Sequence, residues 1–327
     1  MSADEPIRSR HTLLSLLPTS DYSIEVTCTE AECDSLTSNL TASLAAAGLT
    51  VLTPPLAFPL PVPLLPPYTP PASLPAVTRA YAKYGFSTLP TSLRPSPAAF
   101  ACIKSGALAH AASVLSSVSR VLSLEPGNRV KFAEVMQRDK GRFDVDLFAA
   151  GIRVGGSPLG EFAARLAPWL PAVAAAIPGA RLHRAGVVLS TGGGATGTQQ
   201  WHADGPEAKS GGTALCCFLP LVDLDERTGY TSFWPGTHEH PQSKMLVRGA
   251  PDSLPEGCIW RGTCGAGEPL LYDYKVIHRG ERNGMEEGEV RPIVYFVYGL
   301  DTFEEVNFTK DRMADWLRLR DKTNEEP

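Results

Sequence analysis

Basic charge is in short supply in this 327-residue chain: 30 lysines and arginines face 35 aspartates and glutamates, a formal net charge of −5. That balance, with a pI near 5.8, offers no surface for a nucleic acid or an anionic membrane, and neither partner is expected. Cysteine is sparse and unpatterned. The seven, Cys28, Cys33, Cys102, Cys216, Cys217, Cys258 and Cys264, are odd in number and make no CxxC spacing. That excludes a zinc ribbon and a disulfide framework and fits a reducing compartment. No apolar run reads as long enough to span a membrane. Residues 1–20 carry Arg8 and Arg10 beside Asp4 and Glu5, with no continuous apolar stretch. No secretory signal is read there, so a cytoplasmic location is expected, with organelle import left open. No internal repeat is visible.

Apolar bulk, by contrast, is ample. Hydrophobic residues make up 43% of the chain, enough for a sizeable core in one large domain or two ordinary ones. Residues 22–28 read as a strand and 29–47 as a helix, with Glu30, Glu32 and Asp34 near its positive end and Gly48 after it. Residues 54–75 hold ten prolines and read as an extended strap; docking to an SH3-like protein partner is the alternative. Residues 98–122 read as a long alanine-rich core helix, and 160–177 as a second, broken by Pro168 and Pro171. Between them, the basic text at 129–132 and 137–144 reads as a loop, either solvated or facing a substrate.

From residue 183 short β-forming runs recur between glycine and proline turns: 185–190, 199–203, 213–219, 231–234, 269–273, 275–278 and 291–300. The expected fold is mainly β with flanking helices. A double-stranded β-helix (a cupin-like jelly roll) would fill 183–307, after an α-rich N-terminal region, 1–182. A C-terminal helix and tail would fill 308–327, with 307–320 helical and Thr309 as N-cap.

The chemistry concentrates in that β-rich part. In Trp201-His202-Ala203-Asp204 the histidine and the aspartate are two residues apart, so on an extended strand they face one side. His278 follows later, as expected of non-adjacent strands in one jelly roll. Two histidines and one carboxylate suit a non-heme Fe(II) site with open positions. They also suit Zn(II) with one open position. Arg291 lies after a turn at Asn283-Gly284. The alternation Arg291, Ile293, Tyr295, Val297 puts its guanidinium on one strand face. A buried arginine needs an anion, and a dicarboxylate cosubstrate supplies a bidentate partner. His238 and His240 are rival ligands. His11, His110 and His183 read as surface or packed residues, and Trp201 and Trp234 as core or site walls. Tyr272 and Tyr295 read as packed strand residues within reach of a cosubstrate. Only one of Cys216 and Cys217 can face the cavity.

The text over 185–300 resembles the phytanoyl-CoA dioxygenase family of Fe(II)/2-oxoglutarate oxygenases. The carrying pieces are Gln199-Gln200-Trp201-His202-Ala203-Asp204, Phe218-Leu219-Pro220-Leu221-Val222-Asp223, Gly229-Tyr230-Thr231 and Trp234-Pro235-Gly236-Thr237-His238. Gly267-Glu268-Pro269-Leu270-Leu271 and His278-Arg279-Gly280 with Asn283 and Arg291 complete the series. The resemblance implies Fe(II) on His202, Asp204 and His278, with 2-oxoglutarate and O2 as cosubstrates and Arg291 on the distal carboxylate of 2-oxoglutarate. It makes His238 a structural residue. After His278 this chain has Gly280 and Gly284 where the family commonly has serine. No resemblance is read for residues 1–182.

The implied activity is hydroxylation of a small organic substrate, a lipid, an amino acid or a secondary metabolite, with release of succinate and CO2. A protein side-chain hydroxylase of the same chemistry, a cupin-like zinc hydrolase or isomerase, and a non-catalytic binding module are the alternatives. Substrate choice is expected in the loops: 192–197, whose glycines would let it move as a lid, 205–212, and 137–143, where Lys140 and Arg142 would hold a substrate anion.

Overall fold

The computed structural model describes residues 9–15, 23–28, 68–124, 130–204, 214–239, 258–303 and 309–325. The helix expected at 29–47, most of the proline-rich strap, and the loop 205–212 lie outside these residues. Met1–Pro61 forms one unit and Val62–Pro327 another. In the first unit, β1 (Ser9–Ser15) and β2 (Ser23–Cys28) pair antiparallel, close to the strand expected at 22–28.

The second unit opens with helix α1 (Leu74–Tyr84), which has a proline in its first turn and ends on Gly85. At φ 81° that glycine adopts the left-handed conformation, which a Cβ would disfavour. β3 (Phe86–Thr88) and helix α2 (Pro97–Leu124) follow. By length and composition α2 could cross a membrane, which corrects the expectation that no run reaches that length. Its Ile103, Ala107, Ala111, Val114, Val118 and Val121 recur at helical spacing and are buried in the protein core.

The basic text expected to be a loop is instead a β-hairpin, β4 (Val135–Asp139) and β5 (Arg142–Asp146). The alternation Phe143, Val145, Leu147 explains it: these side chains join the core, so the backbone must be extended. A small ladder follows, β6 (Arg153–Val154) with β7 (Ser157–Pro158). Residues 160–177 are interrupted as expected. Leu159–Glu161 and a wide π-helical turn, Phe162–Leu166, precede helix α3 (Leu170–Ala176), where Pro171 sits in the first turn and starts the helix rather than breaking it.

The remaining strands are β8 (Arg181–Thr191), β9 (Ala214–Pro220), β10 (Thr231–Phe233), β11 (Trp260–Arg261), β12 (Leu270–Asp273), β13 (His278–Gly280) and β14 (Val290–Gly299). They build a seven-stranded antiparallel sheet, β3-β12-β9-β14-β8-β5-β4, and a three-stranded one, β11-β10-β13. Two antiparallel sheets of this kind make the expected jelly roll. Three strands of the large sheet precede residue 183, so the expected division at 182 runs through the sheet. The run 275–277 is a turn, and the strand starts at His278. The last helix, α4 (Met313–Glu325), starts later than expected. The Met313 N–H donates to Glu134 Oε2 at 3.0 Å, while Thr309 accepts only from Asp311 N.

Strand alternation divides the core in two. Val294, Phe296 and Tyr298 of β14 pack with the helices on one face of the large sheet. Tyr295 and Val297 face the space between the sheets. On the helix side, Trp169 Nε1 donates to Tyr298 Oη at 2.8 Å, and Tyr298 donates to the Ala163 carbonyl at 2.8 Å. This buried chain of donors ties the α3 region to β14. Tyr298→Phe should strand the indole N–H and destabilise the protein by about 1–3 kcal/mol in urea unfolding. Unchanged stability would show that the pair contributes nothing.

Candidate active site

Between the two sheets lies a cavity of about 800 Å³, lined by strands β4, β5, β8, β9, β12 and β14 of the large sheet, β10 and β13 of the small one, and residues 198–204. His202 reaches it through one isolated antiparallel bridge to His278. The His202 N–H donates to the His278 carbonyl at 2.9 Å and the His278 N–H to the His202 carbonyl at 2.8 Å. The two residues are therefore direct cross-strand neighbours, not members of separated strands as expected. Asp204 N–H donates to the Tyr274 carbonyl at 3.0 Å. The segment stays extended, which turns Asp204 to the same side as His202.

The imidazole centroids are 4.5 Å apart. Asp204 Oδ1 lies 3.8 Å from His202 Nε2 and 3.7 Å from His278 Nε2. One donor atom from each residue falls within 4.8 Å of the others, so the three could hold a metal ion. Each ring is oriented by its other nitrogen. His202 Nδ1 lies 2.9 Å from the Gln200 carbonyl and His278 Nδ1 lies 3.0 Å from the Val276 carbonyl. A carbonyl only accepts, so both Nδ1 atoms carry the proton and both Nε2 lone pairs face the site. Burial and the neighbouring His278 lower the His202 pKa to about 4, against the pull of Asp204. Burial opposes the charge on Asp204, but His278, His202 and the Tyr272 hydroxyl outweigh it and hold its pKa below the usual carboxylate range. Two imidazoles that present Nε2 beside an ionised carboxylate are the donor set a divalent iron needs.

Tyr272 does more than pack. Its hydroxyl donates to Asp204 Oδ2 at 2.6 Å, which fixes the carboxylate and leaves Oδ1 facing the histidines. Tyr272 and Phe233 pack against the His278 ring and against each other. Tyr295 donates to Asp144 Oδ1 at 2.7 Å, and Asp144 is also paired with Arg138 at 2.8 Å. Cys216 lines the cavity while Cys217 is buried in the helix-side core. Trp201 is a wall of the site.

Arg291 also lines the cavity and is 3% exposed. Its Nη1 donates to the carbonyls of Thr228 and Glu281, and its Nη2 to Ser190 Oγ at 3.3 Å. Its Nε is buried without an acceptor. Burial, then the charge of Arg142, lowers its pKa to about 10. Among the described residues no carboxylate forms an ion pair with it, so an anionic cosubstrate fits here. His238 is elsewhere: its Nε2 lies 3.2 Å from the Ala82 carbonyl, and its ring packs against Gly85. His240 lies outside the described residues. His183 is packed, with Nε2 at 3.2 Å from the Gly299 carbonyl and its ring edge-on to Phe303.

Two loop expectations are corrected. Residues 192–197 are tethered rather than free. Gly192 and Gly193 N–H donate to the Glu289 and Met285 carbonyls, and Thr196 Oγ1 donates to the Gly141 carbonyl. A Cβ at Gly192 would collide with the backbone of Met285 and Glu286. The glycine thus serves close packing, and the segment does not line the cavity. In the 137–143 hairpin, Arg142 is 2% exposed and lines the cavity, joined there by Arg138, Asp139 and Asp144, while Lys140 is exposed.

A family model described as Phytanoyl-CoA dioxygenase (PhyH) matches residues 96–286, more than half of the chain. The chain belongs to the phytanoyl-CoA dioxygenase family. It is a 2-oxoglutarate-dependent non-heme iron dioxygenase and works with Fe(II), 2-oxoglutarate and O2. The zinc hydrolase or isomerase and the non-catalytic module are thereby set aside. The match begins well before residue 185, so the family text includes the α2 and β4–β5 region, where no resemblance was read. No curated protein sequence matches the chain. Similar solved structures include AviO1 from Streptomyces viridochromogenes Tue57 (17% identity, 71% of this chain and 97% of that one, TM-score 0.48). EctD from S. alaskensis with bound Fe is similar at 16% identity over 72% of this chain and 78% of that one, with TM-score 0.47. The epimerase SnoN in complex with Fe3+, alpha ketoglutarate and nogalamycin RO matches at 19% identity over 70% and 84%, with TM-score 0.44.

The geometry separates ligands from decoys by experiment. His202→Ala, Asp204→Ala and His278→Ala should each abolish Fe(II) binding in equilibrium dialysis while leaving a folded protein, and His238→Ala should retain it. Tyr272→Phe should weaken Fe(II) binding by about 10–100-fold, because the carboxylate loses the hydroxyl that orients it.

Proposed function

We propose that this enzyme hydroxylates a small organic molecule, a lipid, an amino acid or a secondary metabolite, seated in the cavity beside His202, Asp204 and His278. These three residues hold Fe(II), and Arg291 receives the distal carboxylate of 2-oxoglutarate. The observation that carries the reading is the convergence of the three donors in one cavity with a buried arginine that, among the described residues, has no ion-paired carboxylate. A cavity of about 800 Å³ is of the size that small-molecule sites commonly have, roughly 300–1,000 Å³.

When bound, iron and 2-oxoglutarate supply the oxidation of a C–H bond by O2, with succinate and CO2 as coproducts. The protein's part is orientation. The Gln200 and Val276 carbonyls fix both imidazoles in the tautomer that presents Nε2. Tyr272 turns Asp204 so that one oxygen faces the histidines. Arg291, buried and without an ion-paired carboxylate among the described residues, sets the far end of the cosubstrate. Trp201, Phe218, Tyr274 and Ile293 supply apolar wall for the substrate.

The wild-type enzyme should release succinate from 2-oxoglutarate only with Fe(II) present, and 18O2 should label a hydroxylated product found by untargeted metabolite turnover. Product formation without incorporation of label would overturn hydroxylation. Arg291→Ala should raise the 2-oxoglutarate KM by roughly thirtyfold or more, because truncating one partner of a buried charged pair costs about 2–5 kcal/mol. Fe(II) affinity should be nearly unchanged, and an unaltered KM would remove Arg291 from the cosubstrate site.

A further inference from the structure

Arg291 does not meet the cavity alone. Strand β8 runs between β14 and β5, and its Ser190 is in register with Arg291 on one side and Arg142 on the other. The three side chains form one row across the sheet. Ser190 Oγ accepts from Arg142 Nε at 3.2 Å and from Arg291 Nη2 at 3.3 Å. Both arginines are almost fully buried, and both line the cavity. Among the described residues neither forms an ion pair with a carboxylate. Each keeps one buried N–H nitrogen without an acceptor, Nη1 of Arg142 and Nε of Arg291.

Two like charges side by side in a buried row are unfavourable unless an anion lies against both. Burial lowers the pKa of each, and the charge of Arg142 lowers that of Arg291 further. The neighbourhood is built to seat Arg142. Its Nη2 donates to the Gly197 carbonyl at 3.2 Å. Gly280 leaves it room: a Cβ at Gly280 would lie 3.4 Å from Arg142 Nη2 and 2.6 Å from Gln199 Oε1. The space beside β13 is therefore taken by a guanidinium and an amide instead of a β13 side chain.

We propose that Arg142 is a second binding residue for the distal carboxylate of 2-oxoglutarate, so that Arg142 and Arg291 clamp it from either side of Ser190. The proposal rests on the assignment of Arg291 made above. It makes Arg142 a cosubstrate residue and not the holder of a substrate anion. It also gives the tethered segment 192–197 a task, since the Gly197 carbonyl aims the guanidinium.

The test is equilibrium binding to Mn(II)-loaded protein without O2, so that nothing turns over. The ligands are 2-oxoglutarate and 2-oxobutanoate, which shares the 2-oxo acid end but has no distal carboxylate. Arg142→Gln should weaken 2-oxoglutarate binding by about tenfold or more, the effect of a lost hydrogen bond to a charged group, and leave 2-oxobutanoate binding unchanged. Arg291→Gln should show the same selectivity. Arg142→Lys, which keeps the charge but loses the planar fork, should lose less; it is read in the same way if the glutamine variant does not fold. If Arg142 variants bind 2-oxoglutarate as wild type does, or lose both acids equally, while Arg291→Gln loses 2-oxoglutarate alone, the clamp is overturned and Arg291 stands. If Arg291→Gln also leaves the preference between the acids unchanged, the cosubstrate assignment itself fails.

Discussion

The reciprocal backbone pairing of His202 with His278 is the constraint on which the site depends. Two hydrogen bonds at 2.8 and 2.9 Å fix two distant segments of chain face to face and set the two imidazoles side by side. The rest of the candidate metal site follows from that register. Asp204 is two residues along the same extended segment, so it arrives on the same side. The carbonyls two residues before each histidine, Gln200 and Val276, then decide which nitrogen points inward. A one-residue slip of the 200–204 segment would turn His202 and Asp204 to the opposite face, away from His278. Phe233, paired with His278 and stacked on its ring, and Tyr272, packed against both, hold the His278 side of this pairing in place.

The cavity is also organised by charge. The Asp204 carboxylate lies beside the histidines and accepts from Tyr272. Asp144 is matched by Arg138 and by the Tyr295 hydroxyl. Against these satisfied groups, the row Arg142–Ser190–Arg291 stands out as positive and, among the described residues, without an ion-paired carboxylate. Folding does not favour such a row for its own sake, since burial disfavours each guanidinium. The row is understandable as preorganisation for a dicarboxylate, at a cost in stability that the surrounding sheet supports. The large sheet can do so because its other face is wholly committed to the core with α1, α2 and α3.

Much of this was legible along the chain. The shared face of His202 and Asp204 and the alternation of β14 were read from spacing, because strand geometry has period two and local text reports it directly; His278 as third donor and the role of Arg291 were implied by the family resemblance. The second-layer residues were not. Nothing near Tyr272 in sequence announces Asp204, which is 68 positions away. The hairpin holding Arg142 was read as a loop because its charges masked the alternation of Phe143, Val145 and Leu147, the one signal that would have revealed it. The glycines at 192 and 193 were read as freedom to move; they are there because the backbone of residues 285–289 passes too close for side chains.

The amino-acid sequence by itself determined the donor types, their approximate strands and the jelly-roll class, since these depend on local composition and periodicity, and the order of its motifs carried the resemblance to the family. Tertiary structure alone decided that His202 and His278 are immediate neighbours, that Tyr272 orients Asp204, and that Arg142 joins Arg291 across Ser190. Those outcomes depend on cross-strand register between segments tens of residues apart. Register is set by which side chains can be buried together, a property of the assembled sheets and of no single stretch of the chain.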